Sequence, residues 1–278
     1  MKILYTTDLH GLKWKYDRII DLSTSYDMVI IGADILPKNI NNIHKQQFNF
    51  LTKYLPRFFN SINKPIIIDF GNDDHKAFYS DFLQLINEHS KHDNVYYSHL
   101  NSVNINGYTF IGMHYVPDYP FRLKDWCRRD NTRLMDTQQF GIPILSTKDG
   151  YENIHDYYTY LTTHNNLFEY LMSLIMDSSI TDNKTVLLTH APPVNLGLDV
   201  CIDKREVGSA DVYNFISKRN FRLSLHGHIH ESPFVSGIWK NKINNTVCIQ
   251  PGQEGINKLT YCSIDLSDNS SNRYIIKG

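Results

Sequence analysis

The sequence has little of what marks secreted or membrane-spanning proteins. Its 278 residues contain only four cysteines, Cys127, Cys201, Cys248 and Cys262, and none lies close to another along the chain. Because disulfide scaffolds need densely paired cysteines, this sparse set favours a reducing compartment, and we expect a cytoplasmic protein. No apolar run approaches the roughly 20 residues that a membrane-spanning helix needs, and the N-terminus leads straight into a predicted strand rather than a signal peptide.

An excess of charge of either sign is also lacking. Lysine and arginine total 28 against 29 for aspartate and glutamate, which gives a formal net charge of −1. Broad binding to nucleic acid or to a membrane surface needs a basic face, so we expect neither as a partner. No internal repeat, linker or low-complexity run divides the chain, and we predict a single domain over residues 1–278.

What the sequence does have is five short apolar runs, each followed directly by polar residues of metal-binding types. These residues are Asp8 and His10; Asp34; Asn72 to His75; His190; and His226, His228 and His230. An exposed polar loop after a buried strand would explain any one of them. In open α/β sheets, however, the loops at the carboxyl ends of the strands converge on one crevice. We therefore predict that the five endings contribute to one site.

The order of these motifs resembles that of the calcineurin-like metallophosphoesterases. That family carries an Asp-x-His, a Gly-Asp or Gly-x-Asp, a Gly-Asn followed by His and an acidic residue, a single His, and a Gly-His-x-His. The corresponding residues here are Asp8 and His10, Asp34, Asn72 and Asp74, His190, and His228 and His230. One such motif is weak evidence, but five in order over residues 8 to 230 are specific. The resemblance implies an α/β (α+β) fold, a two-sheet mixed β-sandwich flanked by α-helices.

The resemblance also implies a centre of two metal ions bridged by Asp34. The first ion would be held by Asp8, His10 and His230, and the second by Asn72, His190 and His228. Carboxylate, amide and imidazole ligands together suit Mn, Fe, Ni or Zn better than Ca or Mg. The implied activity is hydrolysis of phosphate esters by a metal-bridging hydroxide, with phosphodiesters slightly favoured and a small phosphorylated, nucleotide-like compound as substrate.

One position departs from the family pattern. Asp73 follows Asn72 where the family usually has a histidine, and an aspartate beside dications is a poor general acid. Three outcomes are open: His75 supplies the proton, the leaving group needs little protonation, or activity is low or lost. We predict His75 and Asp74 as the catalytic residues. A noncatalytic scaffold that keeps the fold is the alternative, and the complete ligand set favours the enzyme.

The remaining patterns predict secondary structure around this site. Helices are expected at 13–24, 43–62 with a break or kink at Pro56, 76–89, 151–176 and 210–219, the last capped by Ser209. A parallel sheet is expected in the first third, with antiparallel strands from Val95 and a hairpin turn at Asn106-Gly107. Strands at 246–249, 258–264 and 273–276 are expected to close the second sheet.

Residues 117–150 are the least regular stretch, and two interpretations of it are open. It is either a solvated surface loop or a lid whose basic residues meet a substrate phosphate. For the lid we predict Arg122 and Arg128 as substrate-binding residues. His114, at the end of an apolar run, is expected to be a structural histidine.

Overall fold

Two six-stranded mixed sheets form the centre of the protein. The computed structural model describes residues 1–38, 41–90, 94–131, 139–176 and 180–278. The strands are β1 (Lys2–Thr6), β2 (Met28–Ile31), β3 (Ile66–Ile68), β4 (Val95–Tyr96), β5 (Ser102–Ile105), β6 (Tyr108–Met113), β7 (Val116–Pro117), β8 (Cys127–Arg128), β9 (Ile144–Thr147), β10 (Gly150–Asn153), β11 (Thr185–Thr189), β12 (Leu223–Leu225), β13 (Lys240–Ile243), β14 (Thr246–Ile249), β15 (Lys258–Asp265) and β16 (Ser270–Lys277).

The helices flank these sheets. They are α1 (Lys13–Ser23), α2 (Ile43–Asn49), a π-helix (Phe50–Tyr54), α3 (Leu55–Asn60), a 3-10 turn (Lys76–Phe78), α4 (Tyr79–Ser90), α5 (Tyr157–Thr163), α6 (Leu167–Ser173), a 3-10 turn (Asp182–Lys184), α7 (Ala210–Ser217) and α8 (Ser232–Ser236). Ser209 caps α7 as expected, since its hydroxyl accepts from Val212 N–H at 3.1 Å. Asn106 and Gly107 both have positive φ and form the predicted hairpin turn between β5 and β6.

The sheet order is β16-β15-β1-β2-β3-β4 in the first sheet and β13-β14-β12-β11-β6-β5 in the second. The centres of both are parallel, with β1 to β4 in one and β6, β11, β12 and β14 in the other. Antiparallel strands lie at three of the four edges, and the parallel strand β4 lies at the fourth. Parallel strands end at the same side of a sheet, so the polar loops that follow β1, β2, β3, β11 and β12 are brought together. The predicted fold class is confirmed.

Alternation along the strands builds two hydrophobic cores. In β2, Met28 and Ile30 pack between the two sheets, whereas Val29 and Ile31 face the helices. In β11 Leu187 likewise faces away from its two neighbours. Because both faces of the central strands are covered, their sequences are continuous apolar runs, and the polar residues that end them stand out.

Two expectations about the sheets are wrong. Val95–Tyr96 pairs parallel with β3 as the edge of the first sheet, and the second sheet starts only at β5. Of the three strands predicted at 246–249, 258–264 and 273–276, only the first, β14, joins the second sheet, while β15 and β16 extend the first beyond β1. Strand partners are chosen by long-range packing, which the local apolar pattern does not encode.

The predicted helix at 43–62 is one continuous helical element over 43–60, but its middle is a π-helix. Pro56 has no N–H to donate to the preceding turn, and that turn widens, so that Leu55 N–H donates to Phe50 O five residues back. The predicted helix at 151–176 is instead the strand β10 followed by two short helices. Asp156 and Asn166 end the preceding segments because each caps a new helix with its side chain.

No helix in the described parts of the chain is long and apolar enough to cross a membrane. All four cysteines are free thiols.

Candidate metal centre

The loops after five strands meet at one point, as the sequence predicts. Two groups of side chains have ligand atoms within 4.8 Å of one another, and they share Asp34. The first group is Asp8, His10, Asp34 and His230, and the second is Asp34, His190 and His228. Asn72 joins the second group, because its Oδ1 lies 3.0 Å from His190 Nε2. All seven side chains named as metal ligands are therefore together, divided as the resemblance implies.

One of the three histidines that follow β12, His226, does not join them. The strand stops at Leu225, so the two-residue period fails after it. His226 turns into the interior, with Nδ1 2.9 Å from Thr189 Oγ1. Only His228 and His230 reach the centre.

Backbone strain is concentrated at the centre. Asp8, His10, Asp34 and His228 all have left-handed φ angles, of 56°, 46°, 52° and 70°. Side chains disfavour this conformation, and it persists only where the surroundings impose it. Here it turns each side chain inward directly after a strand or within a short loop. Strain at four of the seven ligand positions indicates a functional constraint rather than a packing need.

Two glycines allow the loops to approach this closely. A Cβ at Gly71 would lie 2.2 Å from Asp34 Oδ1, and one at Gly227 would lie 2.6 Å from Asp8 Oδ2. Both distances are shorter than any van der Waals contact. Glycine is required at both positions because the carboxylates occupy the space of a side chain.

The contacts within the centre suit a cation. Asp34 Oδ2 lies 3.2 Å from His190 Nε2, and Asp8 Oδ1 lies 3.1 Å from His230 Nε2. His10 Nε2 and His230 Nε2 are also 3.1 Å apart. Two facing imidazole nitrogens can share only one hydrogen, and His10 Nδ1 is buried without a hydrogen-bond partner. The donor set and its unsatisfied atoms therefore fit a metal site of the predicted type.

The protonation states of Asp34, His10 and His228 also fit a metal site. Burial opposes ionisation of Asp34, but His190 outweighs it and holds the carboxyl pKa well below its usual range. Burial lowers the pKa of His190, and Asp34 more than reverses this, to about 9. Burial lowers the pKa of His10 and of His228 to about 3, which leaves both imidazoles neutral. Ionised carboxylates and neutral imidazoles are the forms that bind transition metals, so Asp34, His10 and His228 are in the binding form, whereas His190 would release a proton when a metal binds.

Asp74 and His75, predicted as catalytic, lie outside this centre. The Asp74 carboxylate accepts hydrogen bonds from the backbone N–H groups of Ile35, Leu36 and Gly71, at 2.7 to 3.0 Å. It ties the Asp34 loop to the Asn72 loop and so positions both ligands. His75 is buried against His44 and pairs through Nε2 with Tyr151 Oη at 3.1 Å. The structure therefore places neither of the two predicted catalytic residues at the centre. Consecutive residues in a tight loop point in different directions, and of these four residues only Asn72 and Asp73 face the centre.

The two predicted substrate-binding arginines are also placed elsewhere. Arg128 is 2% exposed, stacks over Tyr115 at 4.2 Å and donates to its neighbour's carbonyl, Cys127 O, at 2.6 Å. Arg122 is exposed and donates to Ile142 O at 3.1 Å, outside the cavity that opens in front of the centre. Arg128 is therefore a core residue. Within the predicted lid, 132–138 lie outside the described residues, and the rest includes β7, β8 and β9.

The cavity in front of the centre has a volume of about 750 Å³. Its floor includes Asp34, Asn72, His228 and His230, and residues from the predicted lid form one wall: Asp118, Tyr119, Pro120, Phe121 and Phe140. Tyr119 stacks on the His228 ring, with centroids 4.8 Å apart and an angle of 24° between the planes. No sequence signal marks Tyr119 as different from the other aromatics of this stretch.

Sequence reasoning missed three further residues around the centre. Lys38 lines the cavity and donates to Asp73 Oδ2 at 3.1 Å. Gln250 donates to Ile229 O, between the two histidine ligands, and Gln253 donates to Thr7 O at 3.0 Å, next to Asp8. The Gln250-Pro251-Gly252-Gln253 segment resembles the short Pro-Gly loop that follows the Gly-His-x-His strand in the family, but the sequence does not show that its two glutamines hold the backbone beside the ligands.

Comparisons with known proteins bear on the fold. No protein-family model matches the sequence, and no curated protein matches it. One crystal structure is 16% identical, with a TM-score of 0.60, over 98% of this chain and 98% of that chain. The crystal structure of TT1561 of Thermus thermophilus is 14% identical, with a TM-score of 0.60, over 98% of this chain and 97% of that chain.

A novel archaeal phosphodiesterase is 11% identical, with a TM-score of 0.46, over 99% of this chain and 100% of that chain. At such identities a likeness concerns the fold and not the activity. The two structures at 0.60 match nearly the whole chain, including both sheets. The chain therefore shares its two-sheet fold with these two structures.

Proposed function

We propose that the protein is a metal-dependent phosphoric ester hydrolase with two metal ions in its centre. The observation that carries this proposal is the pair of ligand groups that share Asp34. A single structural site is normally closed by four ligands, whereas here two groups share Asp34 and lie side by side beneath an open cavity. That arrangement favours catalysis on a bound substrate over structural metal binding.

The chain's own residues would divide the work as follows. Asp8, His10 and His230 would hold one ion, Asn72, His190 and His228 would hold the other, and Asp34 would belong to both ligand sets. Bound there, Mn, Fe, Ni or Zn ions would act as Lewis acids toward a phosphate ester and would activate water at neutral pH. Tyr119, stacked on His228, forms the wall against which the esterified group lies. We propose phosphodiesters as the favoured substrates and a small, nucleotide-like phosphorylated compound as the substrate class.

Lys38 supports activity despite the missing histidine. Asp73 occupies that histidine's position, and its carboxylate accepts from Lys38 Nζ at 3.1 Å. Asp73 also donates through its backbone N–H to Asp34 Oδ1 at 2.9 Å. The ammonium group therefore sits beside the centre and lines the cavity. It is placed to bind a phosphoryl oxygen, as a cationic histidine would.

The test is hydrolysis of bis(p-nitrophenyl) phosphate and of p-nitrophenyl phosphate by metal-stripped protein refilled with Mn, Ni, Fe or Zn. Elemental analysis of the same samples gives the metal content. We expect about two ions per chain and metal-dependent turnover, faster on the diester. Asp34→Asn should lose both, while Asp268→Asn, an exposed carboxylate in the β15–β16 turn, should keep both.

A noncatalytic scaffold predicts a different result. Asp73 in place of the family's histidine is the observation that favours it. Stoichiometric metal binding without turnover on either ester, for any of the four metals, would contradict the hydrolase and support the scaffold.

A further inference from the structure

A second cavity, of about 840 Å³, opens beside the metal centre. One wall is the loop from His10 to the start of α1, and the other is the continuous element formed by α2, the π-helix and α3. Lys38 lines both this cavity and the one in front of the centre. The two cavities therefore meet at Lys38, and we call the second one the basic groove.

The groove carries charge of one sign. Its lining includes Lys13, Lys38, Lys53 and Arg57 and no carboxylate, although the whole chain has a net charge of −1. In the described part of the chain, Lys13, Lys53 and Arg57 have no carboxylate oxygen within 4.0 Å. Lys38 pairs with Asp73, whereas the other three cations have no such partner, and together they favour binding of an anion.

One face of the element formed by α2, the π-helix and α3 lines this groove. Its groove-lining residues follow helical spacing: Gln46, Asn49, Phe50, Lys53, Tyr54 and Arg57. Lys53 and Arg57 are four residues apart, so their like charges are neighbours and disfavour the helix. The π-helix, a rare feature that is frequent at functional sites, supplies three of the six residues. The opposite face of the element carries the core residues Leu51, Leu55 and Phe58.

Two aromatic rings in the groove are held in place by polar contacts. Trp14 Nε1 donates to Ile256 O at 2.9 Å. Tyr54 Oη donates to Asp17 Oδ1 at 2.7 Å, and Lys13 Nζ lies 5.4 Å from the Tyr54 ring centroid. Fixed rings beside cations are suited to a planar base attached to a phosphate chain, since every base has a face that stacks.

We propose that the basic groove binds the second phosphate and the base of a nucleotide substrate whose scissile phosphate lies at the metal centre. This assignment rests on the proposed hydrolase and specifies its substrate class as nucleotides with at least two phosphates. The volume suits one nucleotide unit rather than a long strand. The net charge of the sequence gives no sign of this groove, because its four basic residues come from three separate segments.

The test is calorimetric titration of the metal-loaded, full-length protein with adenosine 3′,5′-bisphosphate, 5′-AMP and the abasic ribose bisphosphate. We expect the nucleoside bisphosphate to bind about tenfold more tightly than either of the others, since a charged hydrogen bond and a stacked base each contribute about that factor. Lys53→Met combined with Arg57→Met should reduce the bisphosphate affinity to that of 5′-AMP. Lys45→Met, an exposed lysine of α2 outside the groove, should leave it unchanged.

Each outcome decides the matter. Equal affinity for the bisphosphate and 5′-AMP, or an unchanged affinity in the double variant, overturns the groove even if diesters are hydrolysed. Equal affinity for the abasic compound overturns the nucleotide assignment. Selective binding without turnover on any ester supports the groove while contradicting the proposed hydrolase.

Discussion

Two clusters of histidine and carboxylate lie at strand ends in this protein, and they differ in how their polar atoms are satisfied. One is the metal centre; the second, which we call the Asp69 cluster, consists of Asp69, Ser98, His99 and His114. Asp69 Oδ2 accepts from Ser98 N–H at 2.9 Å and from Ser98 Oγ at 2.7 Å, and it lies 3.2 Å from His114 Nε2. Asp69 Oδ1 accepts from His99 N–H at 3.1 Å.

The Asp69 carboxylate is enclosed by protein donors, whereas the carboxylates of the candidate metal centre face an open cavity. All four residues of the Asp69 cluster are buried, none has a left-handed φ, and none lines the cavity in front of the centre. His114 N–H even donates to His99 Nδ1, at 2.9 Å. A buried carboxylate whose oxygens are filled by protein donors stabilises the fold, whereas carboxylates that face imidazole nitrogens across strained loops leave room for a cation. The structural role expected for His114 agrees with this difference.

Among the substitutions that test the difference between the two clusters, Asp34→Asn should have the largest effect. Because Asp34 belongs to both ligand groups, we expect metal affinity to fall by about 100-fold or more. The free energy of unfolding of the metal-free protein should change by only about 1 kcal/mol, since relief of repulsion with Asp8 offsets the lost contact with His190. Metal titration and urea unfolding measure the two quantities. A metal affinity of this variant within a few-fold of the wild type would show that the assignment of metal binding to the cluster around Asp34 is wrong.

Asp69→Asn should show the reverse pattern. An amide in this position faces three donors with only one acceptor oxygen, so we expect the free energy of unfolding to fall by about 3 kcal/mol. Metal content per folded chain should stay at the wild-type level, as elemental analysis of the purified protein would report. Loss of metal from a chain that remains folded would show that the Asp69 cluster supports the centre directly.

Lys38→Met should lower activity without affecting either metal content or fold. The ammonium lines both cavities but ligates nothing, so we expect kcat/KM on bis(p-nitrophenyl) phosphate to fall about 10- to 100-fold. Lys38→Arg keeps the charge and should retain more of the activity. If Lys38→Met lowers the urea midpoint as much as Asp69→Asn does, the lysine is structural and its proposed contact with phosphate is wrong.

The smallest effect concerns His75, which belongs to neither cluster. Burial and the neighbouring His44 lower the pKa of His75 from 6.5 to about 4. Between these values the unfolded chain binds the proton and the folded chain does not, so this residue makes stability decrease as the pH falls from 6.5 to 4. In His75→Gln, which can keep the Tyr151 hydrogen bond, that decrease should be about 1 to 2 kcal/mol smaller.

Urea unfolding at several pH values, with the wild type measured alongside, isolates this contribution from those of the other buried histidines. Activity at the metal centre should be nearly unchanged in the same variant. A large loss of kcat with unaltered stability would restore His75 to the catalytic role that the sequence suggested.

The centre was predictable from sequence because its ligands share one local rule, a polar residue directly after a buried strand. Asp8, Asp34 and His190 follow that rule, and parallel pairing brings the loops together whatever the order of the strands. The rule fails one residue further along: it does not distinguish Asp73, which faces the centre, from His75, which packs against His44. Lys38 escaped prediction because a lysine in a loop has no pattern until its neighbours are known.

Other errors came from burial that composition does not reveal. Arg128 looked available for phosphate, but its charge is enclosed by aromatic rings, including that of Tyr115. The C-terminal strands have ordinary strand patterns, yet β15 and β16 extend the first sheet. Nothing local to Lys258–Asp265 distinguishes an edge of one sheet from an edge of the other.

The position of β15 next to β1 has a consequence for how the protein is made. β1 leads into Asp8 and His10, and it pairs with a strand near the other end of the chain, while Gln253 holds the backbone beside Asp8. His228 and His230 also come from the last quarter of the chain. During synthesis, the N-terminal ligands therefore cannot meet their partners until His230 and β15 have been made. A metal that needs the whole ligand set would be retained only after that point, so metal retention would report on late folding rather than on an earlier stage.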